Sequence, residues 1–178
     1  MKKLKSNEIK TISTEEFKNC EKSPLIIVLD NIRSALNVGS IFRTSDAFLI
    51  DKIMLCGITA CPPQKDIRKS ALGADTSVKW EYYSNTIDAI NILIKKKYSI
   101  VSVEQTSMSH SLEKVKLPKI PIALVFGNEV NGVSQEVIDL CNESIEIPQL
   151  GTKHSLNVSV AAGIVIWKYY EMLKNQNI

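Results

Sequence analysis

Apolar and polar positions alternate along the chain in blocks that have the length of one strand or one helix. Residues 25–29 form a continuous apolar run, which is typical of a parallel strand covered on both faces. Residues 37–49 follow with apolar side chains at helical spacing. Because this alternation continues to the last helix, we expect an α/β fold with a mostly parallel sheet flanked by helices.

The pattern predicts a polar extension at residues 1–23 and one domain at 24–178. In the extension, Ser13 and Glu16 have the spacing of a capping box and indicate a short helix near 14–20. The other predicted helices are 37–49, 66–72, 86–97, 135–141 and 158–174. The predicted strands are 25–29, 52–56, 77–82, 98–103, 122–126 and 144–147.

The last predicted helix is apolar on every side from Val158 to Trp167, with Ser159 as the exception. A helix that is hydrophobic all round is buried all round. We therefore expect its surface to be covered by the rest of the chain or by a second subunit.

Composition narrows the class of protein without fixing the function. With 44% hydrophobic and 23% charged residues, the chain has the composition of a globular protein, and its net charge of +3 is too small for a polycation. Two of the three arginines, Arg33 and Arg43, lie in or beside the first loop, so a local basic patch and a nucleic-acid partner are compatible with the sequence. The four cysteines form no C-x-x-C pair, and we expect no metal site.

The chain carries no pattern of a secreted or membrane protein. Its first residues are lysine-rich and lead into polar sequence, and its longest apolar run, 160–167, is too short to span a bilayer. We expect a cytoplasmic protein without membrane contact.

Three polar, glycine-bearing segments lie at or beyond the carboxyl ends of predicted strands: 37–43, 127–134 and 147–157. Ligands of α/β sheets bind outside the carboxyl ends of the strands, so these segments are expected to converge on one pocket. Their candidate side chains are one arginine, one carboxylate, one hydroxyl and two amides: Arg43, Glu129, Ser155, Asn37 and Asn157.

Each candidate also has an ordinary structural interpretation. Ser155 or Asn157 can cap the last helix, and Arg43 can form a surface salt bridge. Other site classes fit poorly. Residues 127–134 resemble a P-loop but have Val133 in place of lysine, and the chain has no G-x-G-x-x-G fingerprint, so we expect no binding of ATP or NAD. Ser155 follows His154 directly and lacks a G-x-S-x-G elbow, which disfavours a serine hydrolase.

These segments resemble the motifs of the SpoU-type (TrmH-like) branch of the SPOUT RNA methyltransferases. The resemblance covers about residues 24–172 and rests on Asn37-x-Gly39-x-x-x-Arg43, on 125–134 and on 147–162; residues 69–74 also look like the family's. It implies an α/β sheet with a C-terminal deep trefoil knot, the cofactor S-adenosylmethionine, a homodimer, and methylation of a ribose 2′-hydroxyl of RNA.

The resemblance also implies roles for individual residues. Arg43 would activate or position the hydroxyl and its phosphate, and Asn37, Glu129, Ser155 and Asn157 would complete the catalytic pocket. The cofactor would rest on Glu104, Gln105, Gly127, Ile147 and Leu156. Two alternatives stay open: a catalytically silent RNA-binding relative, and a SPOUT enzyme that methylates a base.

The RNA-binding surface is expected to be small and weakly basic. Its predicted members are Arg33, Arg68 and Lys69, together with the N-terminal lysines of two subunits. Such a surface contacts phosphates more than it reads bases, so recognition would depend on RNA shape. This favours structured tRNA over ribosomal RNA as the substrate.

Overall fold

The apolar run near residue 25 lies at the centre of a parallel sheet. The computed structural model describes residues 1–116, 118 and 121–176, so the last two residues of the predicted domain lie outside the described part. The strands are β1 (Ser23–Asp30), β2 (Ile50–Cys56), β3 (Lys79–Tyr83), β4 (Ser99–Val103), β5 (His110–Ser111), β6 (Ile122–Phe126) and β7 (Glu143–Glu146). They pair in the order β3-β2-β1-β6-β4-β7-β5, and every pairing is parallel.

Helices cover both faces of this sheet. They are α1 (Thr14–Asn19), α2 (Ala35–Ala47), α3 (Lys65–Ala71), α4 (Ala74–Ser77), α5 (Thr86–Lys95), α6 (Gln135–Ile138) and α7 (Val158–Asn175). Side chains of β1 alternate between two cores: Leu25 and Ile27 pack with residues of α2, α3 and α7, whereas Ile26 packs with residues of α5 and α6. The continuous apolar run is thus explained by burial on both faces.

The boundaries of several elements differ from those predicted, for local reasons. Helix α2 begins at Ala35, because the Ser34 hydroxyl caps it by accepting a hydrogen bond from the Asn37 N–H at 3.3 Å. Strand β3 begins later than expected because Ser77 still belongs to α4. Helix α5 ends at Lys95, and Lys97 adopts a left-handed backbone with a φ of 64°.

The capping box of the N-terminal extension is confirmed, and α1 is docked on the domain. Ser13 and Glu16 exchange hydrogen bonds of 3.2 and 2.7 Å between side chain and backbone. Phe17 is only 3% exposed and belongs to the larger core cluster. Helix α1 of the extension is therefore packed on the domain through Phe17, whereas residues 1–5 and 7–16 are exposed.

Within one chain, helix α7 is buried on one face only, so the second subunit that its sequence allowed as an alternative cover stays a prediction. Val165, Ile166 and Tyr169 on the inner face are fully buried. Val160, Ile164 and Trp167 follow one another at helical spacing on the outer face and are 51%, 40% and 51% exposed. The helix thus presents an apolar stripe that its own chain does not cover. None of the helices in the described part combines the length and the apolar character needed to cross a membrane.

Candidate active site

A pocket of about 470 Å³ opens at the carboxyl ends of β4, β6 and β7. Its walls come from three chain segments that follow these strands: 103–105, 126–132 and 145–158. All five residues predicted to hold the cofactor line it, namely Glu104, Gln105, Gly127, Ile147 and Leu156. Glu129, Ser155 and Asn157 line the same pocket, so two of the three predicted loop segments converge there together with the loop after β4.

Glu129 joins the loop after β6 to the loop after β1. One carboxylate oxygen accepts the backbone N–H of Arg33 at 2.8 Å, and the other accepts the N–H of Ser34 at 3.0 Å and the side-chain amide of Asn37 at 2.9 Å. Burial by itself would raise the pKa of Glu129, but these hydrogen bonds outweigh it and lower the pKa below its ordinary value. With both oxygens engaged, the carboxylate orders the site and is poorly placed to act as a base.

Asn37 and Asn157 extend this connection to the start of α7. The Asn157 side-chain amide donates to the Asn37 side-chain oxygen at 3.1 Å. The Asn157 oxygen accepts from the backbone N–H of Ser159 at 2.8 Å and thereby caps the helix. The capping interpretation of Asn157 therefore applies, and the same side chain also contacts Asn37.

Glu104 orders the opposite wall of the pocket. Its carboxylate accepts the backbone N–H groups of Val133 and Gln105, both at 2.9 Å. Gly132 lies beside this carboxylate in a left-handed conformation with a φ of 68°. A Cβ at this position would lie 2.2 Å from a Glu104 oxygen, so no larger residue fits without a shift. Gln105 in turn donates its side-chain amide to the carbonyl of His154 at 2.8 Å, which holds the loop before α7 against the pocket.

Two residues that organise the site are missing from the sequence-based candidates. Asn128 accepts the N–H groups of Val130 and Asn131 at 2.9 and 3.1 Å and donates to the carbonyl of Asn31 at 2.7 Å. Asp30, only 2% exposed, accepts the hydroxyl of Thr86 and the N–H of Ser134. An asparagine that follows a glycine at the end of a buried strand signals an Asx turn, whereas nothing in the local pattern indicates the role of Asp30.

Arg43 does not share this pocket within one chain. It lies six positions after Asn37 on α2, about 9 Å further along the helix axis and on a different face. Its side chain is exposed and lines a second groove of about 430 Å³. The structure therefore brings together Asn37, Glu129, Ser155 and Asn157, and leaves Arg43 apart from them.

The predicted RNA-binding residues divide between the two sites. The Arg33 backbone contacts Glu129 at the rim of the pocket, and its side chain is exposed. Arg68 and Lys69 are exposed on α3, one turn or less before Leu72, which lines the second groove. The described part of the chain contains no cluster of three or more side chains suited to a metal ion.

We expect Glu129→Gln to destabilise the protein at neutral pH. The carboxylate accepts hydrogen bonds from three N–H donors, and the side-chain amide of glutamine would place its own N–H group against one or more of them. The folded pKa of Glu129 is lowered, so its stabilising effect is complete above the unfolded value of 4.5 and is lost as the pH falls through the folded value. The difference in melting temperature between wild type and variant should therefore shrink below pH 4.5.

Glu136→Gln is the matched control, since Glu136 is an exposed carboxylate on α6 without a hydrogen bond in the described part. Thermal unfolding followed by circular dichroism at several pH values measures both variants. A melting difference for Glu129→Gln that stays constant from neutral to acidic pH would contradict the assigned contacts.

Comparison with known proteins identifies relatives of the whole domain. The model of the SpoU rRNA Methylase family matches residues 24–167. The chain is 32% identical to the 23S rRNA (guanosine-2′-O-)-methyltransferase RlmB of Blochmanniella floridana, over 86% of this chain and 60% of that protein. The A. aeolicus TrmH/SpoU tRNA modifying enzyme superposes with a TM-score of 0.80 and 27% identity, covering 92% of this chain and 82% of that one.

A third relative shares the fold at lower identity. The SpoU methyltransferase AviRb from Streptomyces viridochromogenes, solved in complex with the cofactor AdoMet, superposes with a TM-score of 0.78 and 20% identity. The match covers 90% of this chain and 64% of that one. The chain thus spans between about three fifths and four fifths of the length of these three relatives.

Proposed function

The chain belongs to the SpoU rRNA Methylase family, and we propose that it transfers the methyl group of S-adenosylmethionine to a ribose 2′-hydroxyl of RNA. Membership confirms the resemblance inferred from the three sequence motifs. The observation that carries the proposal is the pocket at the strand ends, where Asn37, Glu129 and Asn157 are joined by hydrogen bonds. The RlmB relative is named for guanosine 2′-O-methylation, the same class of reaction.

The pocket has the size and chemistry that the cofactor requires. A volume of about 470 Å³ lies in the range of small-molecule sites, roughly 300–1,000 Å³. Phe126, Ile147 and Leu156 supply apolar wall, and the segments 103–105 and 126–132 contribute polar side chains and backbone to the rest of the lining. The residues that line this pocket would hold S-adenosylmethionine, whose sulfonium would supply an electrophilic methyl group to the ribose 2′-oxygen; S-adenosylhomocysteine would be the leaving group, and the hydroxyl proton would pass to solvent.

The residues of the chain have distinct parts in this reaction. Glu129 and Asn37 fix the loop after β1 against the loop after β6, and Asn157 fixes the start of α7. Ser155 is exposed at the mouth of the pocket, where its hydroxyl can contact substrate. Arg43 is the cation that would position the phosphate and the reacting hydroxyl, because a guanidinium contacts phosphate with two parallel hydrogen bonds.

The active unit in this proposal is a homodimer, and the exposed stripe of α7 is the observation that supports it. Val160, Ile164 and Trp167 form an apolar surface on a helix whose first residue follows Asn157. Phe48 and Tyr170 lie 5.4 and 6.0 Å from Trp167 between ring centroids and add aromatic area of the kind that interfaces favour. Since Arg43 lies outside the pocket of its own chain, a second chain can supply it.

The proposal includes a deep trefoil knot in the C-terminal part of the sheet. Support comes from the strand order, in which β6 is inserted between β1 and β4 although β4 precedes it in the chain. The segment after β7 then lies against the loop after β4 through the contact between Gln105 and His154.

We expect purified protein to transfer labelled methyl groups from S-adenosylmethionine to RNA, and to tRNA in preference to ribosomal RNA. The relatives act on both classes: RlmB is named for 23S rRNA and the A. aeolicus enzyme for tRNA. Total tRNA and ribosomal RNA from a strain that lacks this protein are the two substrates. Nucleoside mass spectrometry then separates ribose from base methylation.

Calorimetry with S-adenosylmethionine after chelator treatment is the companion measurement. Binding without metal is expected, and ATP and NAD should give no heat. Cofactor binding without methyl transfer to either RNA would indicate a silent RNA-binding relative, and labelled ribosomal RNA alone would overturn the preference for tRNA.

A further inference from the structure

The second groove of the chain is built in part by the N-terminal extension. One wall consists of Ile12, Ser13, Thr14 and Phe17, and the floor carries Arg43 and Asp46 of α2. The opposite wall is the turn from α3 to α4, residues 71–74, with Thr76 and Ser77. The extension therefore shapes the surroundings of the arginine that the proposed reaction needs.

This wall is a fixed feature of the fold. Phe17 anchors α1 in the main core, and the capping box at Ser13 fixes the backbone where the wall begins. Lys22 lies 4.1 Å from the centroid of the Phe17 ring and donates to the carbonyls of Phe17 and Cys20. Residues 12–14 are consequently held at a set position beside Arg43.

The groove contains the positively charged side chain of Arg43 together with exposed apolar side chains. Within the described part of the chain, the Arg43 guanidinium has neither an ion-pair partner nor a hydrogen bond. The neighbouring carboxylate, Asp46, accepts the hydroxyl of Ser77. Ile12 on one wall is 52% exposed, and Leu72 on the other is 67% exposed in a left-handed conformation with a φ of 51°.

A ribose–phosphate segment of RNA matches this combination. Its phosphate pairs with a guanidinium, and its sugar and base faces pack on aliphatic side chains. Arg68 and Lys69, close to Leu72 on α3, add positive charge on one side of the groove. We propose that residues 12–14 are a wall that contacts the RNA strand lying on Arg43 and contributes to its affinity; this inference rests on the proposed function.

The test compares two exposed isoleucines of the extension. Ile12 lies in the groove and Ile9 does not, although their exposed fractions are 52% and 54%. Ile12→Glu places a negative charge beside the RNA phosphate. It should raise both the KM for total tRNA and the Kd of the protein–tRNA complex, measured by fluorescence anisotropy, roughly tenfold. Ile9→Glu should leave both constants within about twofold of wild type, a change of less than about 0.5 kcal/mol.

Ile12→Lys and calorimetry separate recognition from a structural effect. Ile12→Lys should preserve or tighten RNA binding, and each variant should bind S-adenosylmethionine like wild type. Equal RNA affinities for Ile12→Glu and Ile9→Glu, or equal weakening by glutamate and lysine at position 12, would overturn the inference while leaving methyl transfer intact. Absence of both RNA binding and methyl transfer in the wild type would overturn the proposed function as well.

Discussion

Arg43→Ala is expected to lower the rate of methyl transfer by at least about hundredfold while leaving the affinity for S-adenosylmethionine unchanged. Removal of one preorganised charged or hydrogen-bonding group from a transition state commonly costs about 3–4 kcal/mol. Arg43 is exposed on α2 and absent from the walls of the cofactor pocket, so its loss should not disturb cofactor binding. Single-turnover methyl transfer and calorimetry measure the two quantities separately.

Two further variants define what Arg43 contributes. Arg43→Lys keeps the charge but loses the planar pair of donors, and we expect it to recover only a small part of the rate. Lys79→Ala removes an exposed cation from β3, away from both the pocket and the groove, and should retain wild-type turnover. Turnover of Arg43→Ala near the wild-type rate would refute its assignment.

Adjacent substitutions in α7 are expected to separate assembly from folding. Ile164 is 40% exposed on the outer stripe, so Ile164→Asp should give a folded monomer with little methyl transfer. Val165 is fully buried on the inner face, and Val165→Asp should abolish folding, because an unpaired buried charge is among the most destabilising of single changes.

Light scattering and circular dichroism distinguish these outcomes. The wild type should have twice the 19.9 kDa mass of one chain. Ile164→Asp should have the mass of one chain and a cooperative thermal transition, whereas Val165→Asp should show no such transition. An Ile164→Asp protein that remains a dimer, or a wild-type monomer with full activity, would contradict the proposed interface.

Features with a strong local cause were predictable from the sequence. The doubly buried strand at residue 25 and the capping box at Ser13 and Glu16 depend on neighbouring residues and are present in the structure. The five residues that the family resemblance assigns to the cofactor line the pocket at the strand ends, and their contact with the cofactor stays a prediction. Very short elements, such as the two residues of β5, are too brief for a periodic pattern and were missed.

Long-range partners were beyond the reach of the sequence pattern. Glu129 accepts hydrogen bonds from the backbone N–H groups of Arg33 and Ser34. Because almost every residue type has a backbone N–H group, such a partner cannot be recognised from the sequence. Helix spacing alone separates Arg43 from Asn37, but which of the two lies near the pocket depends on where α2 packs against the sheet. Likewise, the apolar stripe of α7 was visible in the sequence, but only the fold shows which side the chain itself covers.

The position of β6 between β1 and β4 has a consequence for how the protein acquires its pocket. During synthesis β1 and β4 emerge before β6, yet they do not pair with each other in the final sheet, because β6 lies between them and pairs with both. The central gap can close only after residue 126 is available, and such non-local pairing is intrinsically slow. Since Gly127 and Glu129 lie in the loop after β6 and line the pocket, we expect cofactor binding, as proposed above, to begin only when the sheet is complete and to be absent from a nascent chain that ends before β6.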